Sequence, residues 1–327
     1  MDTYRAAAIT PGLRRLVEHN GRVQPGERVL VIADYPMADY APLLAGQVRS
    51  VGAHPVVVLI PPSQGDGNEP PPAVAAAMKE TDVIFSPVSR SITHTSAMRA
   101  ALDAGARSIL MTHHNDDVLT ARSLLVTDFA EQEEKCRRIG RALEGDHQIR
   151  VTSPGGTDLT FTAVGRRKPN VLTGRPNPGE LAPVPTIEVN VVPLEGTAQG
   201  VIVADCSIPY LGIGLLEEPV VCPVEDGFIT EVKGGRQADV LRADWEARND
   251  RNCYNVAELG IGLNPEAIPT GVMLEDEGIL GTVHFGIGTS LTLGGDLLAP
   301  THYDLLVWAP TVEIDGKPLL RDKELLL

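Results

Sequence analysis

The sequence predicts an α/β domain with a doubly wound, mostly parallel sheet, followed by a β-rich α+β domain. Three observations lead to this prediction. Apolar runs alternate with helical patterns in the first half, short β-type runs dominate the second half, and the turn formers Gly (32) and Pro (26) are frequent. The 327 residues suffice for two domains of about 100–200 residues each. We place the domain boundary between residues 147 and 148, where alternating strand and helix patterns give way to short β-type runs.

The first half reads as a series of strands connected by helices. Four runs have the apolar character of buried strands: Arg28–Asp34, His54–Ile60, Val83–Ser89 and Ser108–His113. Helical stretches are expected at Thr95–Ala104 and, as one long charged amphipathic helix, at Asp116–Glu144. After the first run the chain reads Tyr-Pro-Met-Ala-Asp, without the glycines that let a backbone approach a pyrophosphate. We therefore expect a scaffold or an oligomer surface rather than a dinucleotide site.

The second half reads as short strands bounded by turn residues. The β-type runs are Arg150–Ser153, Asp158–Val164, Thr186–Val192, Gly200–Cys206, Phe228–Val232, Gly281–Ile287 and Asp304–Trp308. One helical stretch, Arg236–Arg248, interrupts them. This pattern predicts the β-rich α+β domain of residues 148–327.

Charge and composition exclude several classes of partner. The net charge of −15 argues against nucleic acid, because phosphate binding relies on clustered Lys and Arg. The short basic run Arg166–Lys168 is expected to be a solvated loop. No stretch approaches the roughly 18 apolar residues of a membrane span, and the N-terminal segment lacks the apolar core of a signal peptide. The four cysteines are far apart and read as reduced thiols, so we expect a cytoplasmic protein that forms a homodimer or a larger homo-oligomer.

Isolated acids and histidines in apolar surroundings mark a candidate site in the second half. His284 and His302 lie on strand-like segments, and Asp304 follows His302 at the spacing that places both side chains on one face of a strand. Glu258 and Glu180 are lone acids in nearly uncharged stretches, where a buried carboxylate needs a partner. Nitrogen and oxygen donors without a thiolate suit divalent ions. The residues alone leave two interpretations open, namely a metal site and a set of structural polar groups.

Four segments resemble the metal-ligand motifs of the thermophilic-type metallo-aminopeptidases, the aminopeptidase T and aminopeptidase S family. They are PGELAPVP at 178–185, NVAELGIGLNP at 255–265, EDEGILGTVHFGIG at 275–288 and the His302–Asp304 pair. The resemblance implies that five residues hold two divalent ions, Zn²⁺, Co²⁺ or Mn²⁺: Glu180, Glu258, His284, His302 and Asp304. It further implies a metallohydrolase, in which a metal-activated water attacks an amide or a short peptide-like substrate.

The residues that would assist this hydrolysis depart from the family pattern. The family carries a tyrosine seven residues after the strand histidine, and this chain has Leu291 there. Tyr303 is a candidate replacement. Glu258 is a candidate general base wherever it does not serve as a ligand.

A different chemistry occurs in the same superfamily, in the iron-dependent 2,5-dihydroxypyridine 5,6-dioxygenases. Their pattern has a histidine at the position of Glu258, an apolar residue at that of His284 and no acid at that of Glu180. The result is a mononuclear Fe²⁺ site of two histidines and one carboxylate. This chain has Glu180, Glu258 and His284 at these three positions, so its predicted ligand set favours the hydrolase. On that basis Glu180→Gln is expected to lower bound metal from about two ions to about one. A non-catalytic small-molecule binding protein on a degenerate site is a second alternative.

Overall fold

The chain forms two compact units. The computed structural model describes residues 2–65, 67–93, 95–321 and 323–326. One unit combines Met1–Glu133 with Leu172–Thr186, and the other combines Glu134–Val171 with Ile187–Leu327. A parallel α/β sheet in the first unit and mostly antiparallel sheets in the second confirm the predicted fold class. A single division at 147/148 between independently folding domains stays a prediction.

The regular elements change from mixed α/β to mainly β along the chain. The α-helices are α1 (Thr3–Arg15), α2 (Tyr40–Ser50), α3 (Pro72–Lys79), α4 (Ser96–Asp103), α5 (Asp116–Thr120), α6 (Arg122–Leu125), α7 (Phe129–Ala142), α8 (Arg236–Arg248) and α9 (Met273–Asp276). Shorter helical turns span Leu16–Asn20, Tyr35–Met37, Arg251–Tyr254 and Leu291–Leu293. Among the described residues, no helix combines the length and the apolar character that crossing a membrane requires.

The strands follow in chain order. They are β1 (Arg28–Asp34), β2 (His54–Ile60), β3 (Val83–Ser86), β4 (Arg107–Leu110), β5 (His147–Thr152), β6 (Asp158–Ala163), β7 (Asn170–Leu172), β8 (Leu181–Pro183), β9 (Glu188–Val191), β10 (Gln199–Ala204), β11 (Ser207–Ile208), β12 (Gly214–Leu215), β13 (Val220–Glu225), β14 (Phe228–Ile229), β15 (Val256–Gly262), β16 (Thr282–Gly288), β17 (His302–Trp308), β18 (Thr311–Ile314), β19 (Lys317–Arg321) and β20 (Glu324–Leu325).

The sheet of the first unit is parallel throughout, in the order β2-β1-β3-β4-β8. Leu30 and Ile32 face a core that includes Met78 of α3 and Met98 of α4, all of them buried. The alternate residues of β1, such as Val31, are also fully buried, and α2 contacts this strand. Burial of both faces explains why the strand reads as a continuous apolar run.

The crevice between β1 and β3 is bridged by the protein's own hydrogen bonds. In a doubly wound sheet, ligands bind where the strand order reverses, and here that point lies between these two strands. Asp34, at the end of β1, accepts hydrogen bonds from the amide of Ser89 at 2.7 Å, from the Ser89 hydroxyl and from the amide of Met37 at 3.3 Å. These bonds tie the end of β1 to the segment after β3, and the scaffold role of the domain stays a prediction.

The structure departs from the sequence prediction in one helix of the first half and in one strand that returns to its sheet from the second half. The expected helix over Asp116–Glu144 is divided into α5, α6 and α7, because Ala121 is extended and Asp128 caps a new helix by accepting from the amides of Ala130 and Glu131 at 3.0 and 3.1 Å. The sequence pattern also gave no sign of β8. Leu181–Pro183 returns to pair with β4 as an edge strand, where prolines are tolerated.

The second unit contains an eight-stranded and a five-stranded sheet. The larger has the order β14-β13-β10-β6-β5-β18-β19-β20, and its neighbouring strands pair antiparallel. The smaller has the order β17-β16-β15-β9-β7 and carries the predicted histidines. Its strand β15 lies in the segment that the sequence singled out only for Glu258, and it pairs with both β16 and β9.

Loss of the buried Arg107 guanidinium is expected to destabilise the first unit. It donates to Glu27 at 2.7 and 2.9 Å and to the carbonyls of Gly21 and Arg22 at 2.7 and 3.0 Å. We expect Arg107→Met to lower the free energy of unfolding in urea by about 3 kcal/mol, since an ion pair that loses one partner leaves a poorly solvated charge. Arg28→Met, which removes a solvent-exposed pair with Asp82, should cost under about 1 kcal/mol. Equal losses in the two variants would contradict this assignment.

Candidate metal centre

Imidazole and carboxylate side chains meet on one face of the five-stranded sheet. Glu258 comes from β15, His284 from β16, His302 and Asp304 from β17, and Glu188 from β9. The register places Gly286 between Glu258 and Asp304, so the two carboxylates flank one position of β16. The opposite face of these strands is apolar and buried, with Leu259, Ile261, Val283, Phe285, Ile287, Leu305 and Val307. Strand periodicity therefore divides the sheet into a core face and a polar face.

Glycines on the polar face make room for the imidazole rings. A Cβ atom at Gly260 would lie 2.0 Å from Nε2 of His284, and one at Gly286 would lie 2.4 Å from Nε2 of His302 and 2.8 Å from Cβ of Glu258. These separations are far below van der Waals contact. Each ring therefore lies over a glycine of the neighbouring strand, and no other residue type fits there without displacing the ring.

The first group of donors is Glu258, His302 and Asp304. Nε2 of His302 lies 2.9 Å from Oε2 of Glu258 and 3.4 Å from Oδ1 of Asp304. The other ring nitrogen, Nδ1, lies 2.8 Å from the carbonyl of Thr289. A carbonyl only accepts, so Nδ1 carries a proton, and Nε2 is the nitrogen left to face the two carboxylates and any bound cation. A cation in place of the proton on Nε2 would leave the neutral ring protonated at Nδ1. This is the tautomer that a metal-binding histidine requires.

The second group shares Glu258 with the first and adds Glu188 and His284. The possible ligand atoms of each group lie within 4.8 Å of one another. Oε2 of Glu188 lies 3.6 Å from Nε2 of His284, while Oε1 accepts from the side-chain amide of Asn190 at 3.0 Å. Asn190 in turn accepts from Asn170 at 2.7 Å. Oε1 of Glu188 is thus fixed by a hydrogen bond, while Oε2 faces the imidazole of His284.

Buried donor atoms without hydrogen bonds show that a cation fits this site. Across the described residues, Oε2 of Glu188, Oδ1 of Asp304 and Nδ1 of His284 have no hydrogen-bond partner although all three are buried. A buried polar atom without a partner costs about 1–3 kcal/mol, and more if it is charged. Imidazole nitrogens and carboxylate oxygens are suitable ligands for Fe²⁺, Mn²⁺ and Zn²⁺. A cation bound in the respective donor group would compensate the carboxylate oxygens of Glu188 and Asp304.

The electrostatics of the site agree with a strongly coupled, buried cluster. Burial raises the pKa of Glu188 to about 7, although His284 opposes this shift. Burial alone would raise the pKa of Asp304, but His302 and His284 outweigh it and hold that pKa below its usual range. Burial would likewise lower the pKa of His302, and the carboxylates of Asp304 and Glu258 raise it instead. A bound cation would favour deprotonated carboxylates and neutral imidazoles.

A buried arginine positions the loop that holds His302. The basic run that includes Arg167 was expected to be a solvated loop, and this is wrong for Arg167, whose side chain is only 4% exposed. It pairs with Glu195 at 2.6 Å and with Asp296 at 2.7 Å. Glu195 also accepts from the hydroxyl of Ser290 at 3.0 Å, next to the Thr289 carbonyl that binds the His302 ring. The ion pairs therefore fix the end of this loop where the ring is held.

The structure brings together four of the five predicted ligands. They are Glu258, His284, His302 and Asp304. Glu180 belongs to the first unit, where its Oε2 accepts from the amide and the side-chain NH₂ of Asn177 at 3.0 and 3.2 Å. Neither of the two donor groups found among the described residues includes it. Its geometry is that of a turn residue.

The structure also adds residues that the sequence reasoning missed. Glu188 is a lone acid in the apolar run Thr186–Val192, so the argument used for Glu258 could have found it. Tyr210 donates to Oδ2 of Asp304 at 2.5 Å, and no sequence pattern pointed to it. The hydroxyl of the predicted Tyr303 donates instead to Asp244 at 3.0 Å.

Comparisons with known proteins place the chain near one enzyme family. A sequence profile of the 2,5-dihydroxypyridine 5,6-dioxygenase family matches residues 14–326. The 2,5-dihydroxypyridine 5,6-dioxygenase of Pseudomonas putida KT2440 is 26% identical over 264 residues, which cover 76% of this chain and 72% of the relative. The solved structure of 2,5-dihydroxypyridine dioxygenase from that organism superposes with a TM-score of 0.84 at 20% identity, covering 98% of this chain and 97% of the other.

A more distant structure carries the aminopeptidase fold. Wild-type AmpT from Thermus thermophilus superposes with a TM-score of 0.68 at 19% identity, covering 98% of this chain and 99% of the other. At this identity the similarity shows the fold alone. The predicted resemblance to the dioxygenases is confirmed by the family profile, and the AmpT structure confirms that this fold also occurs there.

The expectation of a metallohydrolase is wrong. The family profile and the curated relative both name a dioxygenase, which was the stated alternative. The expected description of the protein as an aminopeptidase-like metalloprotease is therefore wrong as well. The error has a physical reason, because the same oxygen and nitrogen donors serve hydrolytic and oxidative metal sites. Dependence on a metal is supported, whereas two ions of Zn²⁺, Co²⁺ or Mn²⁺ are not confirmed.

Adding one methyl group at Gly286 is expected to disrupt metal binding. In Gly286→Ala the new Cβ would displace the His302 ring or the Glu258 side chain. We expect Mn²⁺ affinity, measured by calorimetry, to fall about 10-fold or more, the scale seen when groups that orient ligands are disturbed. Gly46→Ala on α2 is the matched control, because its Cβ would meet no atom within 4 Å. Wild-type affinity in Gly286→Ala would contradict the site as described.

A pair of isosteric substitutions separates the turn glutamate from the shared ligand. Glu258 belongs to both donor groups, so Glu258→Gln is expected to lower Mn²⁺ affinity about 10-fold or more. Glu180→Gln keeps its hydrogen-bonding shape in the turn and is expected to retain wild-type affinity, opposite to the expectation from the family resemblance. Loss of metal from Glu180→Gln would restore Glu180 as a ligand.

Proposed function

The chain belongs to the 2,5-dihydroxypyridine 5,6-dioxygenase family, and from this premise we propose that it is a metal-dependent dioxygenase that opens the ring of a hydroxylated pyridine-like substrate. The observation that carries the proposal is the group of Glu258, His302 and Asp304 on β15 and β17, whose two carboxylates are buried and in which Oδ1 of Asp304 accepts no hydrogen bond from a described residue. The family supplies the reaction class, and this geometry supplies a place for its metal.

Fe²⁺ is the ion we propose, at one per chain. Nε2 of His302, Oδ1 of Asp304 and Oε2 of Glu258 would hold it, since these atoms converge within 4.8 Å. The family resemblance implies two histidines and one carboxylate, whereas this group has one histidine and two carboxylates. His284, on the same face, is the second imidazole available. The donor set remains a mixture of nitrogen and oxygen ligands that suits ferrous iron.

The residues around this group prepare it for chemistry with oxygen. When bound, Fe²⁺ supplies a redox-active centre at which dioxygen and a hydroxylated aromatic ring can be brought together. The Thr289 carbonyl fixes the His302 ring and the Tyr210 hydroxyl fixes the Asp304 carboxylate. Glu258 and Asp304 are each only 4% exposed, so bulk water is largely excluded from their oxygens.

The proposed reaction is testable by its requirement for oxygen. Protein loaded with Fe²⁺ is expected to consume O₂ with a hydroxypyridine from a panel that also contains amino-acyl amides and cyclic amides, and to be inactive without oxygen. An oxygen electrode and product chromatography measure both results. Turnover of an amide under anaerobic conditions would contradict the proposal.

Two histidine-to-alanine substitutions in the same unit serve as test variant and control in this assay. His302→Ala is expected to lose most bound iron and oxygen consumption, because it removes the imidazole shared by both carboxylates. His147→Ala removes a histidine of the same unit that bonds to Asp315 at 2.8 Å. This variant should retain both the bound iron and the oxygen consumption. Full iron content in His302→Ala would remove the proposed site.

A further inference from the structure

We propose that Tyr210 is a positioning residue of the metal centre, which selects the oxygen of Asp304 that faces the ion. This inference rests on the proposed function, since it concerns the same site. Tyr210 lies in the short segment that follows β11, outside the strands that carry the donors. It is not among the possible ligands, so it would act through Asp304.

The hydrogen bonds of Asp304 divide its two oxygens into separate roles. Oδ2 accepts from the Tyr210 hydroxyl at 2.5 Å. Oδ1 lies 3.4 Å from Nε2 of His302 and accepts no hydrogen bond from any described residue. A carboxylate without such a partner can rotate and exchange its oxygens. The phenol therefore fixes which oxygen is left for the cation.

The same division of roles occurs at two other donors. Asn190 holds Oε1 of Glu188 and leaves Oε2 without a partner among the described residues. The Thr289 carbonyl holds Nδ1 of His302 and leaves Nε2 toward the carboxylates. Tyr210 thus completes a pattern in which the scaffold binds one atom of a donor group and leaves the other for the ion.

A second contact explains what holds Tyr210 in place. Its hydroxyl lies 3.3 Å from Oε1 of Glu277, and three residues earlier Ser207 donates to Oδ2 of Asp276 at 2.7 Å. Asp276 also accepts from the amide of Gly271 at 2.9 Å. Ser207 and Tyr210 therefore both lie against neighbouring acids at the end of α9, and the shorter contact assigns the single hydroxyl proton of Tyr210 to Asp304.

The aromatic neighbour of Tyr210 provides a matched control. The rings of Tyr210 and Tyr303 lie 5.0 Å apart, and the Tyr303 hydroxyl donates to Asp244 rather than to a donor of the metal centre. Removing either hydroxyl keeps the ring pair. Only the change at Tyr210 frees the carboxylate of Asp304.

Mn²⁺ binding to the full-length protein tests the proposal without turnover. Calorimetry is expected to show that Tyr210→Phe binds Mn²⁺ about 10–100-fold more weakly, as for other residues that orient metal ligands, while Tyr303→Phe binds as the wild type does. The electron paramagnetic resonance spectrum of bound Mn²⁺ should change only in Tyr210→Phe, because the coordination of Asp304 is altered.

The outcomes distinguish this inference from the proposed function. Wild-type affinity and an unchanged spectrum in Tyr210→Phe would overturn the positioning role. Equal weakening in Tyr303→Phe would overturn it as well, because the loss of a hydroxyl that bonds to Asp244 would then have the same effect as the loss of the one that bonds to Asp304. A wild-type protein that binds Mn²⁺ but consumes no O₂ when loaded with Fe²⁺ would refute the dioxygenase proposal and leave the affinity comparison valid. Thermal unfolding without metal checks that both variants fold.

Discussion

The close approach of two imidazole rings to the glycines of neighbouring strands is the constraint on which the metal centre depends. The rings of His284 and His302 occupy the space where a Cβ atom of Gly260 or Gly286 would lie. Antiparallel register sets this arrangement, since a shift by one residue would turn every donor to the apolar face. The glycines also weaken the strands, and burial of the opposite apolar face offsets that cost. The site is therefore a property of the sheet rather than of a single motif.

The second feature of the centre is the incomplete hydrogen bonding of its donors. Protein groups bind Oε1 of Glu188 and Oδ2 of Asp304, while Oε2 of Glu188 and Oδ1 of Asp304 are buried and accept no hydrogen bond from a described residue. Gathering several carboxylates away from water is unfavourable unless a cation compensates them. This physical requirement supports a metal without reference to any relative. The family match then directs the interpretation from hydrolysis to oxygen chemistry.

Sequence reasoning found much of the fold and most of the donor set, and its failures have identifiable causes. Glu258 stood out because its neighbours are uncharged, and the same test would have found Glu188. Glu180 was predicted as a ligand from the local Gly-Glu turn in which it lies. Its location in the first unit depends on the pairing of β8 with β4. No local sequence pattern reveals this long-range contact. Tyr210 reaches Asp304 across 94 residues, which no local pattern can show. The reaction class was missed because the ligand types are common to both chemistries.

Oxygen isotope labelling tests the central claim most directly. The Fe²⁺-loaded protein would be supplied with ¹⁸O₂ and a hydroxypyridine that it consumes, and the product analysed by mass spectrometry. A dioxygenase places both atoms of O₂ in its product, so we predict the incorporation of two ¹⁸O atoms, apart from any later exchange with water. A product whose new oxygen comes only from labelled water, formed equally well without O₂, would contradict the account.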